Sequence, residues 1–292
     1  MKEDNLTMQD RKERTKKYVE QIQNLPSFPV VIMEVSKLLD DPKTSAADLG
    51  KVISKDQGMV AKILRIANSP LFGLPRKVST IEFAIVILGY NQIKNIIIAL
   101  AALESFSSKE NKDWDKNRFW THSVLTATLA KKIAEELGYR KSGEVFIAGL
   151  LHDLGISLIQ RYFNKEFKAI NELVESGHFS YLEAEENVIE LTHQDIGNYL
   201  AAKWNLPSAL GEVILHHHAP SKAEAYGEIA AIVHIADYMT QYYQVGDFEW
   251  DKEMNLDFDV IKILNLGDMD YLQEFILSYE NLIKEQASNL IF

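Results

Sequence analysis

Apolar residues recur at three- and four-residue intervals along most of this chain, and alternating apolar–polar runs are scarce. That spacing lines one face of a helix, whereas a half-buried strand needs a period of two. The segments VVIMEVSKLL (30–39), DLGKVISK (48–55) and MVAKILRIAN (59–68) carry it plainly. Ser45 with Asp48, and Ser79 with Glu82, have the Ser-x-x-acid form that satisfies the free N–H groups at a helix start. Connectors such as DDPKTS and NSPLFGLPRKVS are short and hold Pro or Gly. The expected fold is all-α: a compact multi-helix core with an N-terminal helical layer.

Composition narrows the classes of function. The 292 residues suffice for one large or two smaller domains with buried cores. No cysteine is present, which excludes a disulfide framework and any Cys-ligated zinc or iron–sulfur centre. A formal net charge of −11 argues against a general polyanion binder, so nucleic acid is not an expected partner. The charged start, MKEDNLTMQDRKERTKKY, lacks the apolar core of a signal peptide. The greasiest run, NIIIALAAL (95–103), is about half of a bilayer crossing and reads as a buried helix. A cytoplasmic protein without membrane insertion is expected.

Organisation follows from these patterns. Residues 1–20 read as a solvated helical arm and 21–106 as an N-terminal helical subdomain. The stretch 107–117, SSKENKDWDKN, is a polar connector. Residues 118–245 form a second helical subdomain and 246–292 a C-terminal helical tail packed back on the body.

The stretch FIAGLLHDLGISLI (146–159) sets adjacent His152 and Asp153 in greasy surroundings. A carboxylate there is costly unless something pairs with it. His122, His193, the run His216-His217-His218, His234 and Asp237 fall on other predicted helices or at their ends. Side chains from several facing helices build metal sites in bundle cores. Imidazole with carboxylate suits iron, manganese, zinc, nickel or cobalt, and the missing thiolates argue against a structural zinc knot. A buried Asp satisfied by a His and a helix N-terminus accounts for the same residues without metal, and both accounts stand at this point. His152 and Asp153 reach one ion only from near a helix end, for which Gly155 is the expected place. His178 reads as surface, His234 as core or supporting, and at least one of the three consecutive histidines as solvent-facing.

In order, His122, His152, Asp153 and Asp237 resemble the His…His-Asp…Asp pattern of the HD superfamily. His193, His217 and His218 resemble additional ligands of its HD-GYP branch, which assembles a multinuclear centre for cyclic-dinucleotide hydrolysis. The stretch from Leu25 to Asp237, above all ANSPLFGLPRKVSTIEFAIVILG, resembles the HDOD module, an HD-related output domain of bacterial signalling proteins. The resemblance implies an HD-like core. It also implies a metal set of His122, His152, Asp153, His193, His217, His218 and Asp237, holding one or two divalent ions such as iron, manganese or zinc.

Departures matter as much. Ile156, in HDLGIS, stands where the HD-GYP pattern has a lysine, and HHHAPSKAEAYGE lacks that branch's acidic residue and Gly-Tyr-Pro loop. An isoleucine stabilises no phosphate charge. The resemblance therefore implies a non-catalytic signalling module working through protein or small-ligand contacts, with signalling proteins as partners. The alternative is a metal-dependent phosphohydrolase acting on a nucleotide or cyclic dinucleotide, with Lys131, Lys132, Arg140 and Arg161 as candidate phosphate contacts. A third reading takes TSAADLGKVISKDQGMVAKILRIANS as helix-turn-helix. Only Lys62, Arg65 and Asn68 would face a groove there, so a core helix is the expected role. Phe72 and Leu74 read as a connector tucked on the core or a docking edge, and Phe119-Trp120 as packing or a wall of the site.

Overall fold

A computed structural model describes residues 8–22, 38, 41, 43–69, 74, 76–105, 114–245, 250 and 255–290. Among these, every regular element is helical. The helix expected over 30–39 lies outside the described residues apart from Leu38, and so does Phe72.

Helix α1 (Met8–Glu20) is helical as expected, but it is not a solvated arm. Thr15 and Val19 are buried, Tyr18 stacks on Phe163 with ring centroids 3.9 Å apart, and Arg14 pairs with Glu190. Thr15, Tyr18 and Val19 share one side of the helix at three- and four-residue spacing. That stripe is narrow enough to be lost among the surrounding charges.

The N-terminal layer holds α2 (Ala46–Ile53), α3 (Gln57–Ala67), α4 (Ile81–Leu88) and α5 (Tyr90–Glu104). Ser45 and Asp48 form the expected capping box of α2. The start of α4 is displaced by one residue: Thr80, not Ser79, is the cap, its hydroxyl accepting from the Phe83 N–H at 3.2 Å. Between α4 and α5 the chain bends by 117° at Gly89, whose φ of +84° suits a residue without Cβ. The greasy run of α5 is buried as expected. On α3, Lys62 pairs with Glu104, and the Asn68 side chain bonds the backbone of Leu64 and Val78.

The second part of the chain is α6 (Lys116–Glu136), α7 (Ser142–Leu151), α8 (Leu154–Tyr162), α9 (Asn164–Glu175), α10 (Tyr181–Ile189), α11 (His193–Lys203), α12 (Ser208–His216), a 3₁₀ turn (Pro220–Lys222) and α13 (Gly227–Tyr242). Helix α6 is the central strut, packed on α7 and α13, while α11 packs on α8 and α12. Phe119 and Trp120 are buried in its first turns. After α13 come α14 (Val260–Ile263), α15 (Met269–Ser278) and α16 (Glu280–Leu290). Helix α16 returns to α6, where the Tyr279 hydroxyl donates to Glu136 at 2.5 Å. Ser142–Tyr162, spanning α7 and α8, is long and apolar enough to cross a bilayer, yet 83% of its apolar window is buried inside the protein.

Candidate metal centre

The break between α7 and α8 falls at His152-Asp153, not at Gly155. His152 caps the C-terminus of α7 and Asp153 precedes the first residue of α8. Two adjacent side chains can converge there because the second leaves the helical path of the first. Gly155 lies within α8 and has a different task. A Cβ on it would stand 1.9 Å from the His193 carbonyl oxygen, so its hydrogen lets α8 lie flat against α11.

The seven expected residues are brought together. His122 comes from the middle of α6, His193 opens α11, His217 and His218 follow α12, and Asp237 lies on α13. Six of them are at most 1% exposed, and His218 is partly exposed. In one half, His122 Nε2 and His152 Nε2 are 3.2 Å apart, and Asp153 Oδ2 lies 3.4 and 3.2 Å from them. Asp237 Oδ1 closes this half at 3.2 Å from His122 and 3.6 Å from His152. In the other half, His193 Nε2 stands 3.3 Å from both His217 Nε2 and His218 Nε2. The second Asp153 oxygen, Oδ1, reaches that half at 3.6 Å from His193 and 3.5 Å from His217. Asp153 therefore bridges the halves.

The outward nitrogens decide what the inward ones carry. His152 Nδ1–H donates to the Gly149 carbonyl at 2.7 Å, and His217 Nδ1–H to that of Ile214 at 2.8 Å. His193 Nδ1–H donates to Glu185 at 2.9 Å. The Thr240 hydroxyl gives its proton to the Asp237 carbonyl and so accepts from His122 Nδ1–H at 3.3 Å. A neutral imidazole with its proton on Nδ1 presents a bare lone pair at Nε2. The interior is thus lined with acceptors facing acceptors, and none of the Asp153 and Asp237 carboxylate oxygens has a hydrogen-bond donor. Buried orphan oxygens opposed to nitrogen lone pairs require a cation, either added protons or a metal ion. The donor set fits a divalent metal: Asp153, His193, His217 and His218 offer ligand atoms all within 4.8 Å of one another, as do His122, His152 and Asp153.

Without metal, protons must do that work. Burial pushes His152 down, but the charges of Asp153 and Asp237 outweigh it and hold the imidazole well above its ordinary value. His122 is raised in the same way, burial being outweighed by its bonds to Asp153 and Asp237. Burial would raise Asp237, but the His152 charge and its histidine bonds hold it far below the usual carboxylate range. His217 goes the other way: burial, then the neighbouring His218, push it down to about 3.

Three supporting residues escaped sequence reasoning. Glu185 of α10, fully buried, accepts from both the ring and backbone N–H of His193 and from Trp250 Nε1. Its signal was present: Tyr181, Glu185 and Ile189 lie at four-residue spacing on one buried face. Trp250 stacks against Phe167 and Tyr181, with centroids 5.0 and 4.5 Å away. Thr240, one turn beyond Asp237, has no signal in spacing. Of the remaining histidines, His178 is exposed and His216 half-buried, while His234 is buried and donates to the His217 carbonyl at 2.6 Å. A cleft of about 1020 Å³ opens beside His218, lined also by Lys16, Gln194, Asn198, His216 and Lys222. Lys131, one of the expected phosphate contacts, pairs instead with Glu135, and Arg161 donates to the Ser105 carbonyl at 3.0 Å.

A family model described as HDOD domain matches residues 25–220. Among solved structures, an HDOD domain protein of unknown function from Geobacter sulfurreducens is 26% identical with a TM-score of 0.79, covering 97% of this chain and 98% of that one. A candidate phosphohydrolase from Shewanella amazonensis is 22% identical with a TM-score of 0.70, covering 95% of this chain and 98% of that one, and shows the shared fold. An uncharacterized protein of Treponema pallidum is 23% identical over 235 residues, which are 80% of this chain and 45% of that protein. The chain thus spans under half the length of that curated relative.

Proposed function

The chain belongs to the HDOD domain family, and on that premise we propose that it is a non-catalytic signal-transduction module with a metal-bound core. His122, His152, Asp153 and Asp237 would hold one divalent ion, and Asp153, His193, His217 and His218 a second. Iron, manganese or zinc suits these donors. Bound there, a cation supplies the positive charge that the Asp153 and Asp237 carboxylates and the Nε2 lone pairs lack. The residues that would hold it come from α6, the α7–α8 break, α11, α12 and α13. The chain's own residues orient the ligands: Gly149, Glu185, Ile214 and Thr240 hold the Nδ1 protons outward.

The observation that carries the non-catalytic reading is at Ile156. The position that the hydrolytic HD-GYP pattern fills with lysine is here a fully buried aliphatic side chain. Partner contacts then fall to the helical surfaces, and we assign them to the N-terminal layer. Its α4–α5 corner exposes Val86, Ile87 and Tyr90, with Val86 68% exposed. Scattered surface apolar residues are ordinary, but three together at one corner favour a protein surface.

A metal-dependent phosphohydrolase is the second reading, favoured by the cleft that reaches His218. A metal-activated water would be its nucleophile. The test combines metal content by plasma mass spectrometry with a phosphodiesterase screen. Nucleotides and cyclic dinucleotides are offered to protein loaded with iron, manganese or zinc, beside a His152→Ala/Asp153→Ala variant. Metal in the wild type, lost in the variant, with no turnover, supports the signalling module. Turnover that the variant abolishes replaces it with the hydrolase, and a wild type that takes up no metal removes both metal readings.

A further inference from the structure

Two hydrogen-bond chains run from the C-terminal region into the histidine-rich half of the centre. In the first, Trp250 Nε1 donates to Glu185 at 2.9 Å, and the same carboxylate accepts from His193 Nδ1 at 2.9 Å and from the His193 backbone N–H at 2.7 Å. In the second, the Asp257 backbone N–H donates to His234 Nε2 at 2.8 Å, and His234 Nδ1 donates to the His217 carbonyl at 2.6 Å. Asp257 is itself fixed by Ser221, whose hydroxyl donates to its carboxylate at 2.7 Å. Both chains end on the half that contains His193, His217 and His218. Both begin beyond residue 220, where the family match stops.

The chemistry of these links is directional. Glu185 is fully buried, so its carboxyl oxygens depend on the donors they accept from. A cation on His193 Nε2 draws electron density from the ring and makes Nδ1–H a stronger donor. Glu185 is then held more firmly, and Trp250 with it. In the reverse direction, a carboxylate on Nδ1 fixes the tautomer and raises the basicity of Nε2 toward the ion. His234 does the corresponding work for the backbone at His217, whose carbonyl it ties to Asp257. Coupling of this kind is reciprocal: whatever ordering the ion imposes on the C-terminal region, that region returns as affinity for the ion.

We infer that Glu185, Trp250, His234 and Asp257 are positioning residues of the histidine-rich half, and that its occupation by a divalent cation and the docking of the C-terminal region are one linked equilibrium. The inference rests on the metal-binding reading above. It makes the order of the C-terminal region, where both chains begin, depend on the state of the centre.

The experiment uses the full chain, stripped of metal and titrated with Zn(II) against a competing chelator. Amide hydrogen exchange across residues 255–290 is followed with and without Zn(II). In the wild type, Zn(II) slows exchange in this region. Trp250→Phe keeps an aromatic ring between Phe167 and Tyr181 but removes the donor, and Glu185→Gln removes the charge. Each weakens Zn(II) binding by about 10- to 100-fold and reduces the protection, with unchanged helical circular dichroism. Tyr279→Phe, which loosens the C-terminal region at Glu136 outside both chains, lowers Zn(II) affinity by less than either variant, because it acts through docking alone. Wild-type protein that binds Zn(II) with no change in C-terminal exchange overturns the inference alone. So do Glu185→Gln and Trp250→Phe variants that bind as the wild type does. Wild-type protein that binds no Zn(II) overturns the metal-binding reading itself, and the inference with it.

Discussion

His122 and His152 meet Nε2 to Nε2 at 3.2 Å, while each turns its Nδ1 onto an oxygen that accepts. Two lone pairs do not sit at that distance without a positive charge to share. The charge is an ion or a proton, and the two leave different signatures. With metal, stoichiometry follows the geometry. Asp237→Asn lowers occupancy in the His122–His152 half and His218→Ala lowers it in the other. Asp153→Asn, touching both, lowers the total most. Metal per chain by plasma mass spectrometry reads this directly, and an Asp153→Asn variant as loaded as the wild type would contradict the bridge.

Stripped of metal, the protein is expected to be most stable near the ordinary histidine value of 6.5. His217 and His234, pushed down to about 3 and about 4, mainly by burial, stay neutral in the folded state. The unfolded chain protonates them first as pH falls, so their contribution is present above 6.5 and is lost down to about 4 for His234 and about 3 for His217, at about 1.4 kcal/mol per pH unit for each proton. His152 is raised, so its contribution is full below 6.5 and is lost as pH rises through its folded value. Urea midpoints across this range should trace a maximum, and a flat profile would show that the histidines are not held as described.

Gly155→Ala is expected to be among the costliest small substitutions. Its Cβ would meet the His193 carbonyl oxygen at 1.9 Å, a contact relieved only by parting α8 from α11. The loss should be on the order of 3 kcal/mol or more in urea unfolding. Because Asp153 and His193 move apart with the helices, metal affinity should fall too. A variant as stable as the wild type would mean that these helices do not touch there.

Ile156→Lys, which restores the residue of the hydrolytic pattern, should destabilise rather than activate. The side chain is fully buried, and an ammonium group placed there without a partner costs on the order of 3 kcal/mol or more. Denaturant midpoint and phosphodiesterase activity measured together decide the matter: a stable, active variant would show that the position faces the centre.

The all-helical class was legible from periodicity and the His–Asp cluster from residue types that are costly to bury, while the choice of these seven residues came from the resemblance to the HD pattern. Other features were not, for physical reasons. Gly155 read as a helix end, since a glycine that frees the backbone and one that admits a neighbouring helix look alike until the neighbour is known. Glu185 lay in view at four-residue spacing from Tyr181 and Ile189, but a carboxylate on an acidic helix reads as solvated unless its donors, here His193 and Trp250, are placed beside it. Trp250 belongs to no periodic run. The docking of α1 hung on Thr15, Tyr18 and Val19, a stripe whose worth depends on Phe163 far along the chain.

The candidate ligands are spread from His122 to Asp237, with Trp250 and Asp257 later still. During synthesis the growing chain therefore carries Asp153 in its apolar setting long before Asp237 emerges to complete the set. Domains acquire such long-range contacts late. A prematurely ended chain would keep the greasy α7–α8 segment but lack its closing partners, leaving it open to chaperones and proteases. The cluster is therefore complete only once the whole span from His122 to Asp237 has been made.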